Sequence, residues 1–281
     1  MNDADRNTQI DDLLAKQEIA EVVLRYCRGI DRVELDPVGR PALDGRALDG
    51  VLVGADGVHS RVRRAVTPTP QARPMRVVAV RGVTRDVPGP YGPTGMLTTG
   101  VGAQLFASPI GPRDLYWVAT LNGRQTEGAL DDARARMADW HAPIPDMLAR
   151  VDPESVVVDE LVVQKVARVW ARERVVLIGD AAHATTPFIG QGANLALEDA
   201  AYLAHRWAGH ADLGELFAAF ARERRARCVR VVKMSLMMGR MGQLERWPAR
   251  KARDLMMRMM MRSNPSDASG NDWLFGYRAA S

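Results

Sequence analysis

Apolar residues recur at helical spacing through residues 10–30. Ile10, Leu13, Leu14, Val22, Val23, Tyr26 and Ile30 share one face and predict a single amphipathic helix. The pattern changes past residue 32. RVELDPVGRPALDGRALDG, residues 32–50, carries Asp-Pro and Asp-Gly turn signals and reads as a weak hairpin. VLVGADG follows, a short buried strand ending at Gly54, with a helix expected from about Val58 to Val66. Residues 76–86 and 95–122 alternate between apolar and polar positions across Pro- and Gly-rich turns, predicting three or four antiparallel strands. Two short helical patterns, near 130–140 and 143–150, precede a strand in SVVVDELVVQ. The run RVVLIG, Arg174–Gly179, predicts another buried strand, then a helix reaching about Trp207, and the chain beyond Leu213 reads as helical.

Charge changes the picture at the C-terminal end. Residues 222–262 hold thirteen Lys or Arg and three acids, a local balance of +10 within a chain of net charge +4. A basic helical tail suits the solvated face of a terminal helix, or an anionic surface. LMMRMMMR, Leu255–Arg262, invites membrane-surface contact, against the plainer reading of a helix packed on its own domain. Nucleic acid is not an expected partner, because no aromatic-basic motif accompanies the charge. No run of eighteen apolar residues occurs, and the polar, acidic start MNDADRNTQIDD is unlike a signal peptide. Two cysteines, Cys27 and Cys228, make no disulfide framework. A cytoplasmic location is the expectation.

Two stretches carry candidate chemistry. In GDAAHATTPFIGQGANLALEDA, Gly179–Ala200, Asp180 sits just past the carboxyl end of a predicted strand, where ligands gather in open α/β sheets. A carboxylate accepts hydrogen bonds only, so it suits sugar-type hydroxyls; it equally suits a helix N-cap. Gly190, Gln191 and Gly192 open a helix, where close backbone approach and free N–H groups attract an electron-rich ligand, and Pro187 stiffens the turn before them. His183 is placed either to couple with Asp180 or to make a structural hydrogen bond. The second stretch is GADGVHSRVR, Gly54–Arg63. Asp56 and Gly57 form either a ligand loop or a simple tight turn, and Arg63 reaches a pyrophosphate or faces solvent. No G-x-S-x-G, H-E-x-x-H or C-x-x-C occurs, so no catalytic side chain and no metal ligand set is assigned.

Together these stretches resemble the FAD-dependent monooxygenases of the aromatic-ring hydroxylase type, such as para-hydroxybenzoate hydroxylase. The family's strand-GADG-x-x-S-x-x-R fingerprint matches Gly54–Arg63, and its G-D-A-A-H…P-x-x-G-Q-G-x-N…E-D-A fingerprint matches Gly179–Ala200, including Glu198 and Asp199. The resemblance implies an α/β protein whose FAD-binding Rossmann-like domain carries an inserted antiparallel β-sheet and C-terminal helices. It implies that Asp180 and Gly179 lie at the ribitol, Pro187 and Gly190–Asn194 (with Gln191, Gly192 and Ala193) at the flavin ring, and Asp56, Gly57 and Arg63 near the pyrophosphate. NAD(P)H and O₂ would be co-substrates for hydroxylation of a small, aromatic molecule. The covering sheet offers no diagnostic polar pair that would identify that molecule.

The family's first fingerprint, G-x-G-x-x-G, does not occur in the sequence. The FAD-binding domain is therefore expected to be incomplete, with affinity lower by roughly three to four powers of ten, from three or four missing hydrogen bonds. The alternative is a truncated relic or binding module that holds FAD weakly or not at all. Residues 11–32 resemble instead the first helix of a SnoaL-like, nuclear-transport-factor-2-like domain. The expected organisation is 1–32 as that helical fragment, 33–72 and 165–208 as partial FAD-binding domain, 73–164 as substrate-covering sheet and 209–281 as helical tail.

Overall fold

A computed structural model describes residues 33–35, 41–43, 46–47, 50–67, 72–87, 95–207, 212–263, 272–275 and 277. The helix expected at 10–30 lies outside the described residues. The weak hairpin is present as a three-stranded antiparallel meander of β1 (Val33–Leu35), β2 (Pro41–Leu43) and β3 (Arg46–Ala47).

A second small sheet carries the candidate loops. Its order is β10 (Ala171–Arg172), β11 (Val175–Leu177), β4 (Leu52–Gly54). β11 and β4 run parallel, with Leu177 opposite Gly54. Parallel strands end at the same edge, so the loops after Gly54 and Leu177 leave the sheet side by side. Gly54 is required there: a Cβ would stand 2.8 Å from both Leu177 Cδ2 and Val62 Cγ1. The sheet is buried against α1 (Arg61–Val66), α5 (Gly192–Trp207) and α6 (Leu213–Gly242), around a core that includes Trp170, Leu177, Leu195, Phe217 and Phe220.

The larger sheet is antiparallel and five-stranded, in the order β6 (Met96–Thr99), β7 (Ala103–Pro109), β8 (Leu115–Asn122), β5 (Arg73–Thr84), β9 (Val157–Val163). Alternation along β8 assigns its two faces. Trp117, Ala119 and Leu121 pack against α2 (Ala129–Arg136) and α3 (Ile144–Arg150) in a core with Met137, Ile144 and Met147. Tyr116, Val118 and Thr120 face the other way. There, Val118 joins Val77, Ala79 and Phe188, which sits in the 3-10 turn Pro187–Ile189. The mixed architecture is that of the expected α/β class. No described helix is long and apolar enough to cross a membrane. α7 (Trp247–Ser263) leaves Trp247, Leu255, Met256 and Met259 exposed.

One difference from expectation has a clear cause. The helix expected from Val58 begins at Arg61, because the Asp56 carboxylate takes the N–H groups of Arg61 and Val62 at 2.6 and 3.2 Å. Ser60 Oγ adds a cap by accepting from Arg63 N at 2.8 Å while donating to Asp56 at 2.5 Å. Val58 to Ser60 are thus turned out of the helix.

A buried ionic cluster fastens the end of β11 to the helices behind it. Asp199 on α5 is fully buried. Its Oδ2 accepts from Gly179 N at 3.0 Å and His183 Nε2 at 2.5 Å, and its Oδ1 accepts from Arg224 Nε at 2.9 Å. Glu198 supports the cluster by pairing with Arg224 at 2.7 Å and Arg227 at 2.6 Å. Burial alone would push the His183 imidazole down; the hydrogen bond to Asp199 and the nearness of Cys228 outweigh it and raise the pKa to about 10. His183 therefore pairs with Asp199, not Asp180, and is an imidazolium at neutral pH.

Two outcomes are expected. Helical Gly→Ala changes ordinarily stabilise by about 1 kcal/mol. Gly239→Ala on α6 should instead destabilise by about 1–3 kcal/mol in urea unfolding, because its Cβ would stand 2.1 Å from the Phe188 ring. The His183 contribution has a defined sign: with a raised folded pKa it is fully present below about 6.5 and lost as pH climbs through about 10. The thermal midpoint should fall across that window, and His183→Gln should flatten the fall; parallel curves would remove the imidazolium from the account.

Candidate functional site

The two loops are joined behind the sheet edge by Arg63. Its guanidinium is buried and donates to the carbonyls of Asp180 (3.3 Å), Ala181 (3.0 Å) and Val58 (2.6 Å), and to Gln164 Oε1 (3.2 Å). Burial lowers its pKa, with Asp56 acting the other way. Arg63 faces neither solvent nor an open cleft; it ties the first loop to the second. Gln164, its partner at the end of β9, carries no motif signal and was not expected to take part.

In the second loop, Gly179 has φ +56°, a left-handed conformation in which an L side chain is strained. That turn, held by the Gly179 N–H bond to Asp199, projects Asp180 outward at the start of α4 (Asp180–His183). The Asp180 carboxylate is exposed and accepts no hydrogen bond among the described residues. Partial desolvation raises its pKa, with the charge on His183 pulling the other way. The chain then passes through the 3-10 turn from Pro187 to Gly190, also left-handed at φ +65°. Gln191 is buried beneath the turn and its carbonyl accepts from Leu195 N at 2.9 Å, fixing where α5 begins. Asn194 is exposed and donates to Gln191 Oε1 at 3.4 Å. The N–H groups of the first turn of α5 have no intrahelical acceptor and point outward.

These residues form one concavity of about 540 Å³, in which Asp180, Pro187, Gly190, Gly192 and Ala193 face Tyr116, Phe106 and Val118 of the larger sheet. An adjoining cavity of about 290 Å³ shares Phe106, Val118, Pro187 and Gly190 and extends to Leu97, Phe188, Gln104 and Thr120. Asp56 and Gly57 do not line either cavity; Asp56 acts as the cap of α1, and Gly57, at φ +77°, makes the turn before it. The arrangement offers an exposed carboxylate able to accept hydrogen bonds, the open start of a helix and a largely apolar chamber under a sheet.

Comparison with known proteins agrees with this geometry. A family model described as FAD binding domain matches residues 51–235. The chain is 35% identical over 224 residues to the aurachin C monooxygenase/isomerase of Stigmatella aurantiaca, covering 77% of this chain and 58% of that protein. It is 36% identical over 217 residues to the 2-heptyl-3-hydroxy-4(1H)-quinolone synthase of Pseudomonas aeruginosa, covering 72% of this chain and 54% of that protein. Klebsiella pneumoniae HpxO, solved with FAD and uric acid, superposes with a TM-score of 0.68 at 25% identity, over 79% of this chain and 59% of that one. The chain thus spans little more than half the length of these relatives. With more than half of its own residues matched by the family model, over the stretch that holds both loops and the covering sheet, the chain belongs to the FAD binding domain family.

Proposed function

We propose that this chain forms the flavin-facing and substrate-covering part of an FAD-dependent monooxygenase that uses NAD(P)H and O₂ to hydroxylate a small, aromatic-type molecule. The observation that carries this reading is the unpaired Asp180 carboxylate beside the open start of α5, in one concavity that continues into an apolar chamber. The residues present fit an FAD. Asp180 would accept from the ribityl hydroxyls, Gly190 to Asn194 would lie against the ring, and the first N–H groups of α5 would favour negative charge on it, a contribution of roughly 0.3–1 kcal/mol. A bound flavin would supply the redox chemistry between NAD(P)H and O₂.

The protein's own work is positional. Arg63 and Asp199 hold the Asp180 carbonyl and the Gly179 amide, so the backbone that carries the carboxylate is fixed at the sheet edge. Phe106, Val118 and Phe188 line the neighbouring chamber with apolar surface that would face a bound substrate. No side chain is required as nucleophile or general base. The monooxygenase and quinolone synthase names of the relatives support the reaction class.

Asp180→Ala should weaken FAD binding roughly 10- to 100-fold, the value of one charged hydrogen bond. Titration of FAD against the purified chain, read by quenching of flavin fluorescence, measures it. Equal affinity of the variant and the parent chain would overturn the assignment of this loop.

A further inference from the structure

The long helix α6 carries a half-buried stripe behind the second loop. Arg225, Val229, Val232 and Leu236 recur every three or four residues and so share one helix face. They line a cavity of about 390 Å³ together with Val162 near the end of β9 and Val166 just beyond it. The uncharged polar side chains of its wall are already engaged. Gln164 Oε1 accepts from Arg63 Nη2 at 3.2 Å, and Thr186 Oγ1 lies 2.8 Å from Ser235 Oγ. The charged side chains are all of one sign. Lys165 and Lys233 are exposed at the opening, and Arg225 is positioned by its Nε, which donates to the Ala167 carbonyl at 3.1 Å. Among the described lining residues there is no Asp or Glu.

Aliphatic walls favour an apolar occupant, and three cations beside them favour a negative charge. Neither feature alone describes the ligand. A small hydrated anion gains nothing from valine walls, and a neutral hydrocarbon gains nothing from ammonium groups. The stripe from Arg225 to Leu236 runs about 16 Å along the helix axis, which suits an extended chain better than a compact ring. We propose that this cavity binds an amphiphilic monoanion, an alkyl chain ending in a carboxylate. The chain would lie along Val229, Val232 and Leu236. The head group would stay at the surface beside Lys165 and Lys233, whose stems cover apolar area while their ammonium groups remain in water. The cavity shares only Thr186 with the concavity that holds Asp180, and no residue with the apolar chamber beside it. Ala184 and Thr186 form part of its wall, so a bound chain would back the segment that leads from α4 into the Pro187–Gly190 turn.

Isothermal calorimetry on the full chain tests this with hexanoate, octanoate and decanoate below their micellar concentrations. Octan-1-ol serves as the uncharged probe. Each added pair of CH₂ groups should tighten binding roughly 10- to 15-fold. Octanoate should bind about fivefold tighter than octan-1-ol, a margin that narrows in high salt. Lys165→Gln/Lys233→Gln should remove that margin and leave octan-1-ol unchanged, whereas Val232→Asn should weaken both probes alike. Saturating FAD should leave octanoate bound. No binding of decanoate, affinity independent of chain length, equal binding of octanoate and octan-1-ol, or displacement of octanoate by FAD would overturn the proposal. So would a margin that survives the lysine substitutions, or octanoate binding unchanged by Val232→Asn. The first four outcomes use the parent chain, so a misfolded variant leaves the test intact.

Discussion

Asp199 receives three donors from three separate elements: the Gly179 amide at the end of β11, the His183 imidazolium on α4 and the Arg224 guanidinium on α6. A carboxylate so buried is tolerable only with its oxygens fully engaged, and two of its partners are cations. The consequence is geometric. Gly179 is locked in a left-handed turn, and the next residue, Asp180, is pushed out of the sheet edge into the open concavity. The same bonds pin α5 and α6 behind that edge, so the helix start that faces the concavity is fixed in the same frame. Arg63 performs the equivalent task from the other loop, holding the carbonyls of Asp180 and Ala181.

The polar groups around the strand-end loops play two parts. Asp56, Arg63, His183, Asp199 and Arg224 are committed to one another or to backbone, and they hold shape. The Asp180 carboxylate is uncommitted among the described residues, and it lines the concavity that faces the larger sheet. That contrast supports the proposal that the site lies between the strand-end loops and the larger sheet.

Much of this was legible in the sequence. The alternation in residues 76–86 and 95–122 reads directly as antiparallel strands, and Asp56 and Asp180 read as strand-end loop candidates, with a turn or a helix cap left open for each. What the sequence did not show depends on pairings between distant positions. Arg63 has no local feature that distinguishes a buried bridge to residues 117 and 118 positions away from an exposed charge. His183 is close in sequence to Asp180, yet its partner is sixteen residues on, one helix away. Asp56 begins its helix three residues late because a carboxylate that caps backbone cannot also be inside the helix.

The account rests on the two strand-end loops acting as one binding unit. Hydrogen–deuterium exchange of the chain, with and without saturating FAD, addresses this most directly. Amides in 54–63 and in 179–195 should both slow when FAD is present, with the exposed helix around 255–259 unchanged. Protection confined to one loop, or to neither, would contradict the claim that adjacent parallel strands deliver both to a single cofactor.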